Sequence, residues 1–223
     1  NGAIIKTEDH HSIFHSDIIS KFLDIQTGTK VSLVTKNVGF KFKNGKVGLQ
    51  NINLAEEGGK LIAIMGGSGS GKSTLINVLN GNEKPYKGHI SVNGHNLHKS
   101  KKETEGIIGY IPQDDLLVEE LTVFENLYFA ARLCFKDKSE FELRELTDKT
   151  IESLGLLEAR DLRVGSPLDK SISGGQRKRV NIGLELLREP SILYVDEPTS
   201  GLSSRDSENI MELLKELSLK GKM

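Results

Sequence analysis

Three clusters of residues in this 223-residue chain have the types and spacing to do chemistry on phosphate. The first is Gly66-Gly67-Ser68-Gly69-Ser70-Gly71-Lys72-Ser73, which matches G-x-x-x-x-G-K-[ST]. Glycines let a loop curl so that its N–H groups face phosphate oxygens at the positive end of a following helix. Lys72 would neutralise the β- and γ-phosphates, and the Ser73 hydroxyl would reach Mg²⁺. The second is Asp196-Glu197 at the end of the apolar run Ile192–Val195. At the carboxyl end of a parallel strand Asp196 can reach Mg²⁺ through water, and Glu197 can orient or deprotonate an attacking water. An Asp-Glu-Pro turn that merely ends a strand is the plainer alternative. The third is Ser173-Gly174-Gly175-Gln176-Arg177-Lys178-Arg179, a serine cap with bare glycine amides, hence a second anion site or an ordinary cap before an exposed basic helix start. Together the clusters point to a nucleoside triphosphate.

The elements that must carry these residues alternate strand and helix. Residues 31–54, with breaks at Asn44-Gly45 and Gly48, read as short antiparallel strands. Lys60–Met65 reads as a strand feeding the glycine loop, and Leu75, Ile76, Val78 and Leu79 continue as a helix. His89–Val92 and Ile107–Ile111 are further strands. From Thr122 to about Ser153 the pattern is helical, opened by the capping box Thr122-x-x-Glu125. Ser173-x-x-Gln176 repeats that signature before a helix ended by Pro190, and Asp206–Leu219 is helical again. The expectation is an α/β protein with a mostly helical insertion.

Composition narrows the partners. Thirty basic against thirty-one acidic residues, a net charge of −1, argue against a domain that wraps nucleic acid. No apolar run approaches the ~20 residues of a membrane helix. The lone Cys134 allows no internal disulfide. His10, His11 and His15 near the start have no further His or Cys beside them, so residues 1–30 read as a short helix or linker at the end of an upstream region rather than a metal site.

The three clusters, in this order, resemble the ATP-binding-cassette superfamily from about Val31 to Lys222. Gln113-Asp114-Asp115, Leu121-Thr122-Val123-x-Glu125-Asn126-Leu127, the Gly174–Arg179 run and Glu197-Pro198-Thr199-Ser200-Gly201-Leu202 look like subfamily G, whose cassettes accompany membrane domains of the ABC-2 exporter type, many exporting lipids, sterols or drugs. The resemblance implies a P-loop NTPase (RecA-like) core with an antiparallel β subdomain and an inserted helical subdomain. The core is 31–112 with 173–223, C-terminally incomplete, and the helical subdomain is 113–172. ATP and Mg²⁺ are the implied cofactors. Gly67, Ser68, Gly69, Ser70, Gly71, Lys72, Ser73 and Thr74 would bind nucleotide in cis, while Ser173, Gly174, Gly175 and Gln176 would cap the γ-phosphate of a second cassette in trans. Gln113 matches the glutamine loop, a Mg²⁺ and catalytic contact beside Ser73 and Asp196. Phe42 matches the aromatic that stacks on adenine, unless it is a core strand aromatic. Catalysis would fall to Glu197, Lys72 and Gln113.

The implied partners are a second nucleotide-binding domain, identical or not, and a transmembrane domain, fused or separate, at the cytoplasmic face of the membrane, with no nucleic acid. Two departures stand out. The dimer-contact loop lacks its usual Asp after Leu202 and reads Ser203-Ser204-Arg205-Asp206, where Asp206 could substitute. The family's switch histidine has no counterpart after His98, so the natural polypeptide is expected to continue past Met223, and this chain is expected to hydrolyse ATP weakly. A soluble cassette ATPase acting on ribosomes or DNA, and a non-hydrolysing ATP sensor, are the other two readings.

Overall fold

A computed structural model describes residues 30–166 and 171–223 in full, together with the backbones of two short strands, β1 (Ile4–Lys6) and β2 (Ser12–Phe14). These two pair antiparallel, Ile5 opposite Ile13, where the sequence reading expected a helix or linker. His10, His11 and His15 lie outside the described residues. The chain divides into two units, Asn1–Glu105 with Leu214–Met223, and Gly106–Leu213.

In the first unit β3 (Ser32–Lys41) and β4 (Val47–Glu57) form a long antiparallel pair, continued by β5 (Lys87–Val92) and β6 (His95–Asn96) in the order β4-β3-β5-β6. Alternation along β3 buries Leu33 and Thr35, opposite Val92 and Ile90 of β5, and beyond the register slip Val38 and Phe40 are buried. The register slips between Thr35 and Val38, where Asn37 takes a φ of 49°. That bulge lets one continuous strand bend. Between β5 and β6 the turn is Asn93-Gly94, with φ of 51° and 80°, as a two-residue hairpin requires. Helix α1 (Lys72–Leu79) buries Ile76, Val78 and Leu79. A short α2 (Lys101–Thr104) follows β6.

Lys60–Met65 is not a strand. Leu61, Ile62, Ile64 and Met65 are 45%, 39%, 37% and 89% exposed. Apolar runs of this type become strands by pairing on both sides inside a sheet, and among the described residues no strand of this unit pairs with it.

In the second unit β7 (Ile108–Ile111) and β8 (Ile192–Val195) are parallel, Tyr110 opposite Tyr194 and Ile111 opposite Val195. Three helices follow the same rule at their starts. Helix α3 (Val123–Cys134) is capped by Thr122 with Glu125, α4 (Glu140–Ser153) by Ser139 with Glu142, and α5 (Gly174–Leu186) by Ser173 with Gln176. Each box satisfies two otherwise orphaned amides. The single helical stretch expected from Thr122 to Ser153 is therefore two helices with a break at Phe135–Lys138. Leu127 and Ala131 of α3, Leu143 and Ile151 of α4, and Val180 and Ile182 of α5 are buried. Gly183 permits a close approach: a Cβ there would lie 2.7 Å from Leu154 Cδ1 and 3.0 Å from Leu127 Cδ2. The last helix, α6, is Ser204–Leu219. No helix among the described residues is long and apolar enough to cross a membrane.

Candidate functional site

The glycine loop of the first unit leads directly into α1. Gly69 and Gly71 adopt φ of 73° and 93°, a left-handed backbone that glycine takes without strain. Gly71 is the N-cap, with no side-chain cap bond and no acidic residue in the first turn. The positive end of α1 is thus left to an outside anion. The Lys72 ammonium folds back over the loop and donates to the carbonyls of Gly66 at 2.9 Å and Gly67 at 3.1 Å. Ser70 N–H donates to Gly67 O at 3.2 Å, closing the turn. Space is open around Gly67 and Gly69, where an added Cβ would meet nothing within 4 Å. Ser73 is exposed and Thr74 half-buried. A cation held across a ring of backbone groups at a bare helix start fits a polyphosphate.

Phe42 ends up beside this loop. It is 41% exposed and stands edge-on to Phe40 at 5.2 Å, while Phe40 is buried. A Cβ on Gly48 would strike the Phe42 ring at 2.8 Å, and a Cβ on Gly71 would lie 3.9 Å from Gly48 O. An exposed aromatic face next to a phosphate cradle suits a stacked base.

In the second unit the parallel pairing of β7 with β8 delivers two loops to one sheet end. Pro112-Gln113 leaves β7 there, and Asp196-Glu197 leaves β8. Asp196 N–H donates to Ile111 O at 2.9 Å, extending the ladder by one residue. The Asp196 side chain is 7% exposed, whereas Glu197 and Gln113 are exposed. Asp196 continues the β8 ladder, whereas at Glu197 the chain turns out of it. Glu197 has a φ of 45°, left-handed for a non-glycine residue, and its carbonyl accepts Ser200 N–H at 3.2 Å in the turn that follows. Burial pushes the Tyr194 phenol up; at Tyr110 burial does the same, and the Asp196 charge adds to it. Among the described residues no group of three or more His, Cys, Asp or Glu could hold a metal by itself. The hard oxygens of Asp196 and Gln113, at one end of the β7–β8 pair, are of the type Mg²⁺ takes.

The start of α5 carries the third cluster. Ser173 Oγ accepts Gln176 N–H at 3.1 Å, and Gln176 Oε1 accepts Ser173 N–H at 2.7 Å. A Cβ on Gly174 would sit 3.3 Å from Leu202 Cδ2, and one on Gly175 would run into the Asp206 carboxylate. Asp206 is itself tied to Ser203, whose hydroxyl donates to Oδ2 at 2.8 Å.

The basic residues behind that cap are not an exposed patch. Successive helix positions turn by about 100°, and each cation has its own partners. Arg177 donates from Nε to Asp115 Oδ2 at 2.5 Å and from Nη2 to Oδ1 at 3.1 Å, with Nη1 on Gly165 O. Lys178, 9% exposed, donates to Pro112 O at 3.2 Å and Gln113 O at 3.3 Å. Arg179 donates to Leu154 O at 3.0 Å and Gly155 O at 3.2 Å. The bonded Asp115 carboxylate holds the Arg177 guanidinium above its usual range. Burial pulls the Lys178 ammonium down, against the opposing pull of Asp115, Asp196, Asp114 and Glu197. Asn181, one turn on from Lys178, accepts Leu116 N–H at 3.5 Å. Sequence reasoning missed these contacts; the only local hint was the acidic Asp114-Asp115 pair after Gln113.

Comparison with known proteins decides the family. Residues 49–200 match the domain described as ABC transporter. The chain belongs to the ABC transporter family. It is an ATPase domain of that family with the P-loop NTPase fold, and its relatives include many of the G group. It is 38% identical over 222 residues to ABC transporter G family member 28 of Arabidopsis thaliana, covering 96% of this chain and 20% of that protein. With G family member 23 of the same plant the identity is 37% over 199 residues, 85% of this chain and 31% of the relative. With the ABC-type transporter claG of Penicillium crustosum it is 35% over 209 residues, 91% and 28% respectively. The cassette thus spans less than a third of each of these relatives. Among solved structures, cbiO1 of Clostridium perfringens, part of the ABC transporter complex cbiONQ, superposes with a TM-score of 0.74 at 31% identity, over 83% of this chain and 73% of that one. A dimeric cassette in a post-hydrolysis state bound to ADP and Pi gives 0.68, also at 31% identity, over 83% and 82%.

Proposed function

We propose that this cassette binds MgATP and hydrolyses it to drive an ABC-2 type exporter from the cytoplasmic face of a membrane. The observation that carries the reading is Lys72 folded across the Gly66–Ser73 loop at the uncapped start of α1. Loop amides and Lys72 hold the β- and γ-phosphates, Thr74 and Ser73 complete the cradle, and Phe42 stacks on adenine. Ser73, Gln113 and Asp196 would hold Mg²⁺, which when bound neutralises charge on the phosphates. Glu197 orients the attacking water and accepts its proton. Residues 31–112 with 173–223 act as the ATP-binding core and 113–172 as the helical subdomain.

The cassette works in a pair. Ser173, Gly174, Gly175 and Gln176 of one copy cap the γ-phosphate held by the other, so ATP favours the closed, head-to-tail dimer. A transmembrane domain, in the same polypeptide or a separate one, then switches with the pair. In the full-length protein Glu197→Gln should trap an ATP-bound dimer, read by light scattering at saturating MgATP, and Lys72→Ala should lose ATP binding. A strictly monomeric Glu197→Gln cassette, or unchanged ATP affinity in Lys72→Ala, would overturn the reading.

A further inference from the structure

Lys178 is a charged side chain that the proposed ATP cycle does not use, yet it is 9% exposed. Lysine is almost never buried to this degree without partners. Its partners here are two backbone carbonyls, Pro112 O and Gln113 O, at the start of the loop that leaves β7. One turn further along α5, Asn181, 3% exposed, accepts the amide of Leu116 from the same loop. Residues three apart on a helix share a face, so α5 presents one polar face to the segment 112–116. The same segment is held at a second point by the Arg177–Asp115 pair.

We propose that Lys178 is a positioning residue for ATP hydrolysis: its ammonium clamps the Pro112 and Gln113 carbonyls to α5 and so sets where the Gln113 side chain stands. The assignment rests on the ATPase reading above. Gln113 itself is exposed, with its orientation decided by the backbone that carries it. A two-carbonyl clamp on that backbone is a direct way to fix it. The charges of Asp115, Asp196, Asp114 and Glu197 also act on the amine, and a neutral side chain would leave them without that counter-charge. A neutral side chain of equal length would fill the space and do neither job.

The test compares Lys178→Met and Lys178→Arg with wild type in the full-length protein. In Lys178→Met, kcat for ATP is expected to fall at least about tenfold, with KM and the ATP dissociation constant within about threefold. Amide hydrogen exchange should rise about tenfold in a peptide covering 112–118, with α5 still protected. Lys178→Arg should bring both readouts back to within about threefold of wild type. Where Lys178→Met fails to fold, Lys178→Leu takes its place with the same expectation, since it too removes the donor and the charge. Wild-type kcat and exchange in the neutral variant would overturn the assignment. So would an equal loss in Met and Arg variants with a raised ATP dissociation constant, which would mark a packing role. A wild-type protein without turnover and without Lys72-dependent ATP binding would overturn the ATPase reading, and this assignment with it.

Discussion

Removing the Asp115 carboxylate, the Arg177 guanidinium, and then both isolates the strength of the tie between the segment after β7 and α5. The two side chains are 26% and 13% exposed and meet through two bonds of 2.5 and 3.1 Å across 62 residues of sequence. Hydrogen bonds to charged groups contribute about 1.5–3 kcal/mol each. Partial exposure and the loss of conformational freedom in arginine cut that to a coupling of about 2 kcal/mol for the pair. Arg177→Met should cost more than Asp115→Ala, about 3 against about 2 kcal/mol, because it also strands the Gly165 carbonyl. The double variant should then cost about 3 kcal/mol rather than the sum. Urea denaturation, followed by fluorescence and circular dichroism so that two-state behaviour is checked, measures all four corners. A coupling below about 0.5 kcal/mol would refute the reasoning. Glu119, 3.8 Å from Arg177, would then be carrying the cation instead.

Two further outcomes concern stability. Gly88 has a φ of 80°, and a Cβ there would run into the carbonyls of Lys36 and Asn37, so Gly88→Ala should cost about 3 kcal/mol or more by the same denaturation assay. The His98 imidazole is held below its ordinary pKa by burial and then by the charges of Lys84 and Lys101, and its Nε2 has no partner among the described residues. The unfolded chain therefore takes up a proton at His98 before the folded one does. Stability should fall as pH drops below about 6.5, and the difference in melting temperature between pH 7.5 and 5.5 should shrink in His98→Gln. An unchanged difference would show that other groups carry that pH dependence.

What could be read from the sequence was local. Thr122, Ser173 and their partners three residues on announced two helix starts, because caps are decided by neighbouring residues. The break at Phe135–Lys138 escaped, although Ser139-x-x-Glu142 carries the same signature, since no glycine or proline interrupts the helical pattern. Lys60–Met65 has strand composition without being a strand, because a strand needs a partner and composition names none. The glycine loop was legible for the same local reason: its turn and the Lys72 bonds to Gly66 and Gly67 close within eight residues. The partners of Arg177 and Lys178 lie up to 66 residues away in sequence, and nothing in a basic run reveals whether it faces water or a loop.

Arg177, Lys178 and Arg179 leave α5 in three directions and make three grips, on Asp115 with Gly165, on Pro112 with Gln113, and on Leu154 with Gly155. A helix held by one contact can pivot about it, and one held by two can still swing about the line joining them. Three grips spaced around the axis remove both freedoms, so the roll of α5 is fixed as well as its position. Any movement of its capped end must then carry the segments 112–115 and 154–155 along as one piece. Replacing a single cation would restore one axis of rotation, and the piece would come apart in a direction set by which residue was changed.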